Sequence, residues 1–144
     1  MSSLDSHVNA LKTIPLFSGL PHSDIEALAK KVTEAHHAQG SEIIKEGTSG
    51  SSVFLIVKGR CEVRRSNKRI RELEEGQFFG ELSILDPAPR TATVRTVEPT
   101  VLLVLEGYDF RTALKNSRDM AQRLILALAE RLRHMTDEFA PKMK

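Results

Sequence analysis

The sequence predicts a mainly β domain, a small sandwich, jelly roll or barrel, bracketed by helices at both ends. Three observations carry this prediction. Between residues 33 and 106, short apolar or alternating runs are separated by Gly40, Gly47, Gly50, Gly59, Gly76 and Gly80. Many short strands at even spacing are the mark of such folds. Ahead of them, Ile25, Leu28, Ala29 and Val32 recur at helical spacing. Behind Gly107 the helical period returns and lasts to about Phe139.

The elements follow in order. Ser6 is placed to cap a short first helix carrying Val8 and Leu11, which stops near Pro15. Pro15, Gly19 and Pro21 punctuate a break. Ser23 followed by Glu26 has the form of a capping box for the second helix. "SVFLIVKG" is apolar on both faces, as a strand between two layers would be. "CEVRRS" alternates, with Cys61 and Val63 on one face; "RIRELEEG", "TATVRTV" and "TVLLVLEG" complete the series. "YDFRTALKN" reads as a short helix capped by Asp109. A longer one starts near Ser117, with Asp119 early and Arg131, Arg133 and His134 late, as the helix dipole prefers. The expected organisation is one domain over residues 1–144: helices in 1–32, a β-roll in 33–106 and helices in 107–139.

Composition excludes several classes. A net charge of +2 with scattered basic residues gives no nucleic-acid footprint. Cys61 is the single cysteine, so no internal disulfide forms, and its apolar run makes it a core residue. No secretory leader is legible, and "LILALA" and "VLLVL" are too short to span a bilayer. A cytoplasmic location without a membrane span is expected. Adjacent His36 and His37 point to opposite faces of a strand and cannot chelate one metal. His7, His22 and His134 read as solvated surface, and no nucleophilic triad is visible.

The chemistry concentrates in "GQFFGELSILDPAPRTATV". If Arg90 begins a strand, it shares a face with Ala92 and Val94, which read as core positions. A buried guanidinium needs an anion. Gly80 lets the backbone pass close to a ligand, and Glu81 to Leu85 favour a short helix that the following prolines must end. The start of such a helix offers free N–H groups to an anion, phosphate above all, and Arg90 would add a charged contact. Glu81 accepts hydrogen bonds only, so it suits a hydroxyl such as a ribose 2′-OH. A structural salt bridge between Glu81 and Arg90 fits the same residues.

Gly80-Glu81-Leu82-Ser83, then Pro89-Arg90-Thr91-Ala92-Thr93-Val94, resembles the phosphate-binding cassette of cyclic nucleotide-binding domains. "GSEIIKEG" and "VFLIVKG" resemble strands of the same family, of the cyclic AMP receptor protein and protein kinase regulatory subunit type. The resemblance covers about residues 14–135 and implies an eight-stranded jelly-roll barrel with a cassette at 79–94. It implies that Phe79, Gly80, Glu81, Leu82, Ser83, Arg90, Thr91 and Ala92 hold the ligand, Glu81 on the ribose hydroxyl and Arg90 on the cyclic phosphate. Thr91 resembles a residue of cyclic-GMP-dependent kinases whose hydroxyl bridges phosphate and guanine. Small hydroxylated residues there are also found in bacterial cyclic-AMP binders, and cyclic AMP is placed slightly ahead.

In the last helix, Ala121, Ile125, Leu128, Leu132, Met135 and Phe139 alternate four- and three-residue steps, a coiled-coil seam that predicts a homodimer over 121–139. The alternative is a stripe packed on the chain's own roll, widened by Leu124, Leu126 and Ala127. Arg131, Leu132, Arg133 and Thr136 are the candidate base contacts. The expected function is a cyclic nucleotide-binding regulatory module in signal transduction, not an enzyme, whose C-terminal helices move on binding. The chain leaves no room for a helix-turn-helix after Phe139, so the expectation is either an effector protein in trans or a sequence that is part of a longer protein. Two other classes compete: a structural or dimerisation module with a non-binding pocket, and a metal-dependent jelly-roll enzyme.

Overall fold

In the computed structural model, which describes residues 3–85 and 88–139 (the backbone alone at 82, 83 and 135–139), the strands form two four-stranded antiparallel sheets. One has the order β1 (Thr33–His37), β8 (Thr100–Glu106), β3 (Ser52–Lys58), β6 (Phe78–Phe79). The other runs β2 (Glu42–Ile44), β7 (Thr93–Thr96), β4 (Cys61–Arg65), β5 (Lys68–Leu73). Every strand neighbour outside the β4–β5 hairpin comes from a distant part of the chain. This is the jelly-roll arrangement.

Alternation along the strands builds two cores. Ile56, Phe79 and Leu102 from the first sheet meet Ile44, Cys61, Val63, Leu73 and Val94 from the second inside the roll. Val53, Leu55, Phe78, Leu103 and Leu105 face the other way, onto the helices. β3 is therefore apolar on both faces because both faces are covered. Cys61 is fully buried within the roll, and burial pushes its thiol up to about 11.

The helical layer comprises α1 (Ser3–Thr13), α2 (Pro15–Ser18) and α3 (His22–Ala29), with α5 (Gly107–Asn116) and α6 (Arg118–Phe139) closing behind β8. α6 contributes Met120 and Leu124 to this core, with Ala127 and Leu128 packed against it. Its N-terminus is capped by Ser117, whose Oγ accepts the Met120 N–H at 3.1 Å. Other starts differ from the sequence reading. α1 begins at Ser3, not at a Ser6 cap. Pro21 occupies the cap of α3, so the Ser23–Glu26 box is not formed. Glu106 precedes α5 and Asp109 lies in its first turn, where Lys31 Nζ reaches its carboxylate at 3.3 Å. His7 is also not solvated surface: its ring lies 3.2 Å from Glu34 with 13% of the side chain exposed.

Candidate functional site

The largest departure from the sequence reading lies at Arg90. β7 starts at Thr93, so Arg90 precedes the strand rather than opening it. The loop is instead fixed by its backbone: Arg90 N–H donates to Thr48 O at 2.7 Å, and Gly47 N–H donates to Arg90 O at 2.8 Å. Arg90 remains 7% exposed, with its guanidinium donating to Gly80 O at 2.8 Å and Ser52 O at 3.2 Å. These carbonyls supply partial charge only. Burial therefore holds the Arg90 pKa below the usual arginine range, with the charge of Glu81 acting the other way.

Two glycines admit this arrangement. Gly80 has φ +94°, a left-handed conformation, and a Cβ there would lie 2.7 Å from Ser52 O and 3.1 Å from Arg90 Nη1. At Gly50 a Cβ would come within 2.6 Å of Arg90 Nη2. The serine-rich loop between β2 and β3 thus approaches the guanidinium as closely as a chain without a side chain allows. Beyond Gly80, the helix is a single turn, α4 (Leu82–Leu85). Ile84 and Leu85 N–H both donate to Glu81 O. The Leu82 and Ser83 amides precede the first helical hydrogen bond, as at any helix start.

Glu81 is 1% exposed, and its partner is neither Arg90 nor solvent. Its Oε1 pairs with Arg131 Nη1 from α6. Arg131 Nη2 also donates to Phe78 O at 2.5 Å, and the guanidinium lies 4.7 Å from the Phe78 ring centroid. The salt bridge considered between Glu81 and Arg90 is thus replaced by one to the last helix.

These groups line one cavity of about 80 Å³ with Ile44, Val63, Arg71, Phe79, Thr91, Ala92 and Val94. Of the ligand residues predicted from sequence, Phe79, Gly80, Glu81, Arg90, Thr91 and Ala92 are brought together. The side chains of Leu82 and Ser83 lie outside the described residues. Phe79 stacks on Phe54 across the β3–β6 ladder, with centroids 5.1 Å apart. Of the candidate base contacts, Arg131 lines the cavity while Leu132 and Arg133 are exposed, and the Thr136 side chain lies outside the described residues. Sequence reasoning missed Arg71. The signal was its parity with Leu73 in "KRIREL", which places it on the inward face of the strand.

Among the described residues, no helix is long and apolar enough to cross a membrane, and no group of three His, Cys, Asp or Glu is placed to hold a metal ion.

Comparison with known proteins gives the following. The family described as "Cyclic nucleotide-binding domain" matches residues 34–117, more than half of the chain. A "CRP-like cAMP-activated global transcriptional regulator" of Mycobacterium tuberculosis is 28% identical over 130 residues, which are 87% of this chain and 58% of that protein. A "cGMP-dependent protein kinase" of Eimeria tenella is 34% identical over 117 residues, 79% of this chain and 12% of the kinase. The solved structure "cAMP bound PfPKA-R (141-441)" superposes with a TM-score of 0.82 over 96% of this chain and 48% of that one, at 22% identity, a likeness of fold. The chain thus spans little more than half of the regulator and a small part of the kinase.

Proposed function

The chain belongs to the cyclic nucleotide-binding domain family, and from that premise we propose that its cavity holds a 3′,5′-cyclic purine nucleotide as a regulatory signal. The observation that carries the reading is the pairing of unlike ends in one cavity. Among the described residues Arg90 is a buried cation held only by carbonyl oxygens, and Glu81 is a buried carboxylate directly after the Gly80 corner. A cyclic phosphate supplies the anion that Arg90 lacks, with amides near Leu82, Ser83 and Thr91 as further donors. The ribose 2′-OH donates to Glu81. Phe79 and Ala92 shape the wall between.

The same geometry couples the site to α6. A cavity of about 80 Å³ is well below the roughly 300 Å³ at the small end of ligand sites. Arg131 is what narrows it, by taking the carboxylate that the ribose needs. A nucleotide reaching Glu81 displaces Arg131, and α6 loses its tie to Phe78 and Glu81 together. Binding thereby repositions the C-terminal helix, which an effector protein reads. Ile125 and Leu132, of the predicted seam, are both 65% exposed, so the same helix offers a surface to a second copy of the chain.

The names of the relatives bring forward both cyclic AMP and cyclic GMP. Calorimetric titration of the chain with each nucleotide is the test: one site per chain is expected, and no heat with either would defeat the reading. The second reading, a structural module of the same fold, is favoured by the closed Arg131–Glu81 pair. It predicts no rise in melting temperature with either nucleotide.

A further inference from the structure

Resting on the cyclic-nucleotide reading of the cavity, we propose that Ser51 is a phosphorylation site whose phosphate takes Arg90 away from the nucleotide. Arg90 lines two cavities. One is the nucleotide cavity. The other, of about 330 Å³, is walled by the loop between β2 and β3, with Lys45, Ser49, Gly50 and Ser51 beside Arg90. Among the described residues Lys45 is its second cation and Glu42 its one acid. The loop meets the guanidinium twice. A Cβ on Gly50 would lie 2.6 Å from Arg90 Nη2, and the same Nη2 donates to Ser52 O at 3.2 Å. Ser51 is the residue between these two contacts. It is exposed, and its hydroxyl makes no hydrogen bond among the described residues. Two neighbouring hydroxyls are occupied: Thr48 Oγ1 donates to Lys45 O at 2.6 Å, and Ser52 Oγ donates to Glu106 at 3.3 Å. A phosphate on Ser52 would face that carboxylate. Ser49 is flanked by only one of the two contacts.

A phosphoserine carries about −1.5 to −2 charge at neutral pH and three strong acceptor oxygens. The carbonyls of Gly80 and Ser52 give Arg90 partial charge only, so a full anion attached to the loop is the stronger partner. Residues 45–51 are exposed in succession, as a segment entering a kinase must be. The step is phosphoryl transfer from ATP by a protein kinase. Ser51 Oγ bonds to the γ-phosphorus, the bond from that phosphorus to the β–γ bridging oxygen breaks, ADP leaves with the electron pair, and the hydroxyl proton passes to the kinase's base. One guanidinium then serves either the phosphoserine or the cyclic phosphate. The phosphoserine also repels the ligand's own negative charge. Modification of Ser51 thus silences the nucleotide response without touching Glu81 or α6.

The experiment uses the whole chain with phosphoserine encoded at position 51, beside the unmodified chain, Ser51→Ala, and the same modification in Arg90→Ala. Titrated by phosphorus NMR without nucleotide, the phosphoserine should show a second pKa below its usual value of about 6 when Arg90 is present, and closer to that value in Arg90→Ala. Calorimetric titration with cyclic AMP and cyclic GMP should show affinity lowered roughly 10- to 100-fold by the phosphate, the range of one charge-assisted contact, and restored by a phosphatase. Ser51→Ala should bind as the unmodified chain does, because the free hydroxyl has no part in the nucleotide site. The modification itself is sought by mass spectrometry of the chain from its native cells. Trypsin, cutting after Lys45 and Lys58, releases residues 46–58, and fragmentation should place one phosphate on Ser51. Equal affinity with and without the phosphate, a phosphate pKa unmoved by Arg90→Ala, or a Ser51 found unmodified overturns the inference while leaving cyclic nucleotide binding intact. Absence of binding by the unmodified chain to either ligand overturns the nucleotide reading, and the competition for Arg90 with it.

Discussion

At Gly50 the absent side chain is as informative as any present one. A Cβ there meets the Nη2, Nε and Cζ atoms of Arg90 at 2.6, 2.8 and 3.1 Å. These atoms are the far end of a flexible side chain, which moves aside at little cost in stability. Gly50→Ala is therefore expected to shift the melting temperature by no more than a surface change does, about 0.5 kcal/mol or less, while weakening nucleotide binding about tenfold. Arg90→Ala should cost more, about 2–4 kcal/mol of binding, with the fold retained. Affinity measured for the two variants beside their melting curves checks this. A Gly50→Ala protein that binds as the wild type does would mean that Arg90 need not hold its position. Cys61, also at this scale, has its thiol raised to about 11 by burial, so it is expected to resist a thiol reagent at neutral pH until the chain is unfolded. Rapid labelling of the native protein would show that β4 opens. The residues of the site were legible where chemistry is local: Gly80, Glu81 and Arg90 stand out because an acid, a base and a flexible corner recur within one short stretch. Their partners were not. Nothing local in the chain joins Glu81 to Arg131, fifty residues away and on another element.

Among the elements, β4 and β7 carry a titratable link. Glu62 is 6% exposed and its Oε1 receives Arg95 Nη2 at 2.6 Å and Arg64 Nη1 at 3.1 Å. The hydrogen bond from Arg95 first, and then that from Arg64, holds its carboxyl below the usual range against the effect of burial. A carboxylate whose folded pKa is depressed stabilises the fold fully above its unfolded value, about 4.3, and loses that contribution as pH falls through the lower folded value. Urea unfolding should thus show the wild type ahead of Glu62→Gln at pH 6 and the gap narrowing by pH 3. A gap constant with pH would remove the link. The helices at either end were legible from their period, but their starts were not, because Pro21 and Glu106 occupy caps where the sequence offers better side chains at Ser23 and Asp109. β7 was read too long by the same kind of error. Thr91 has strand propensity, yet Arg90 bonds to the loop between β2 and β3 and holds Thr91 and Ala92 out of the ladder. On α6, the sequence left a coiled-coil seam and a packed stripe as rivals; the structure shows the packed stripe, while other apolar residues of the same helix stay exposed. Leu124 is 4% exposed within the chain's own core, while Ile125 and Leu126 are 65% and 66% exposed. Leu124→Ala should cost about 2–4 kcal/mol of folding stability. Ile125→Glu should leave monomer stability nearly unchanged and, if the seam joins two copies, convert a dimer to a monomer in sedimentation.

For the whole molecule, the account joins a signal to a movement through a single competition. On the proposed reading, Arg131 and the ligand's ribose compete for the same carboxylate, and only Arg131 carries the last helix with it. Removing the helix's claim should therefore favour the ligand. Arg131→Ala leaves Glu81 buried and unpaired, so the protein should melt earlier without nucleotide, gain more from its addition than the wild type does, and bind it more tightly. The roll itself follows from the alternation of Val53 through Ile56 and of Cys61 and Val63, which sequence made plain, whereas the closure of α6 over the cavity depends on contacts between residues far apart in the chain. The central claim is that Glu81 belongs to the ribose once the nucleotide is present. It is tested most directly by calorimetric titration of the wild type and Glu81→Gln with a cyclic nucleotide and its 2′-deoxy analogue. The account predicts that loss of the hydroxyl costs the wild type roughly 1.5–3 kcal/mol and the variant much less, a clear coupling between Glu81 and the 2′-OH. Equal penalties in both proteins, with no coupling, would contradict it and leave Glu81 as a structural partner of Arg131.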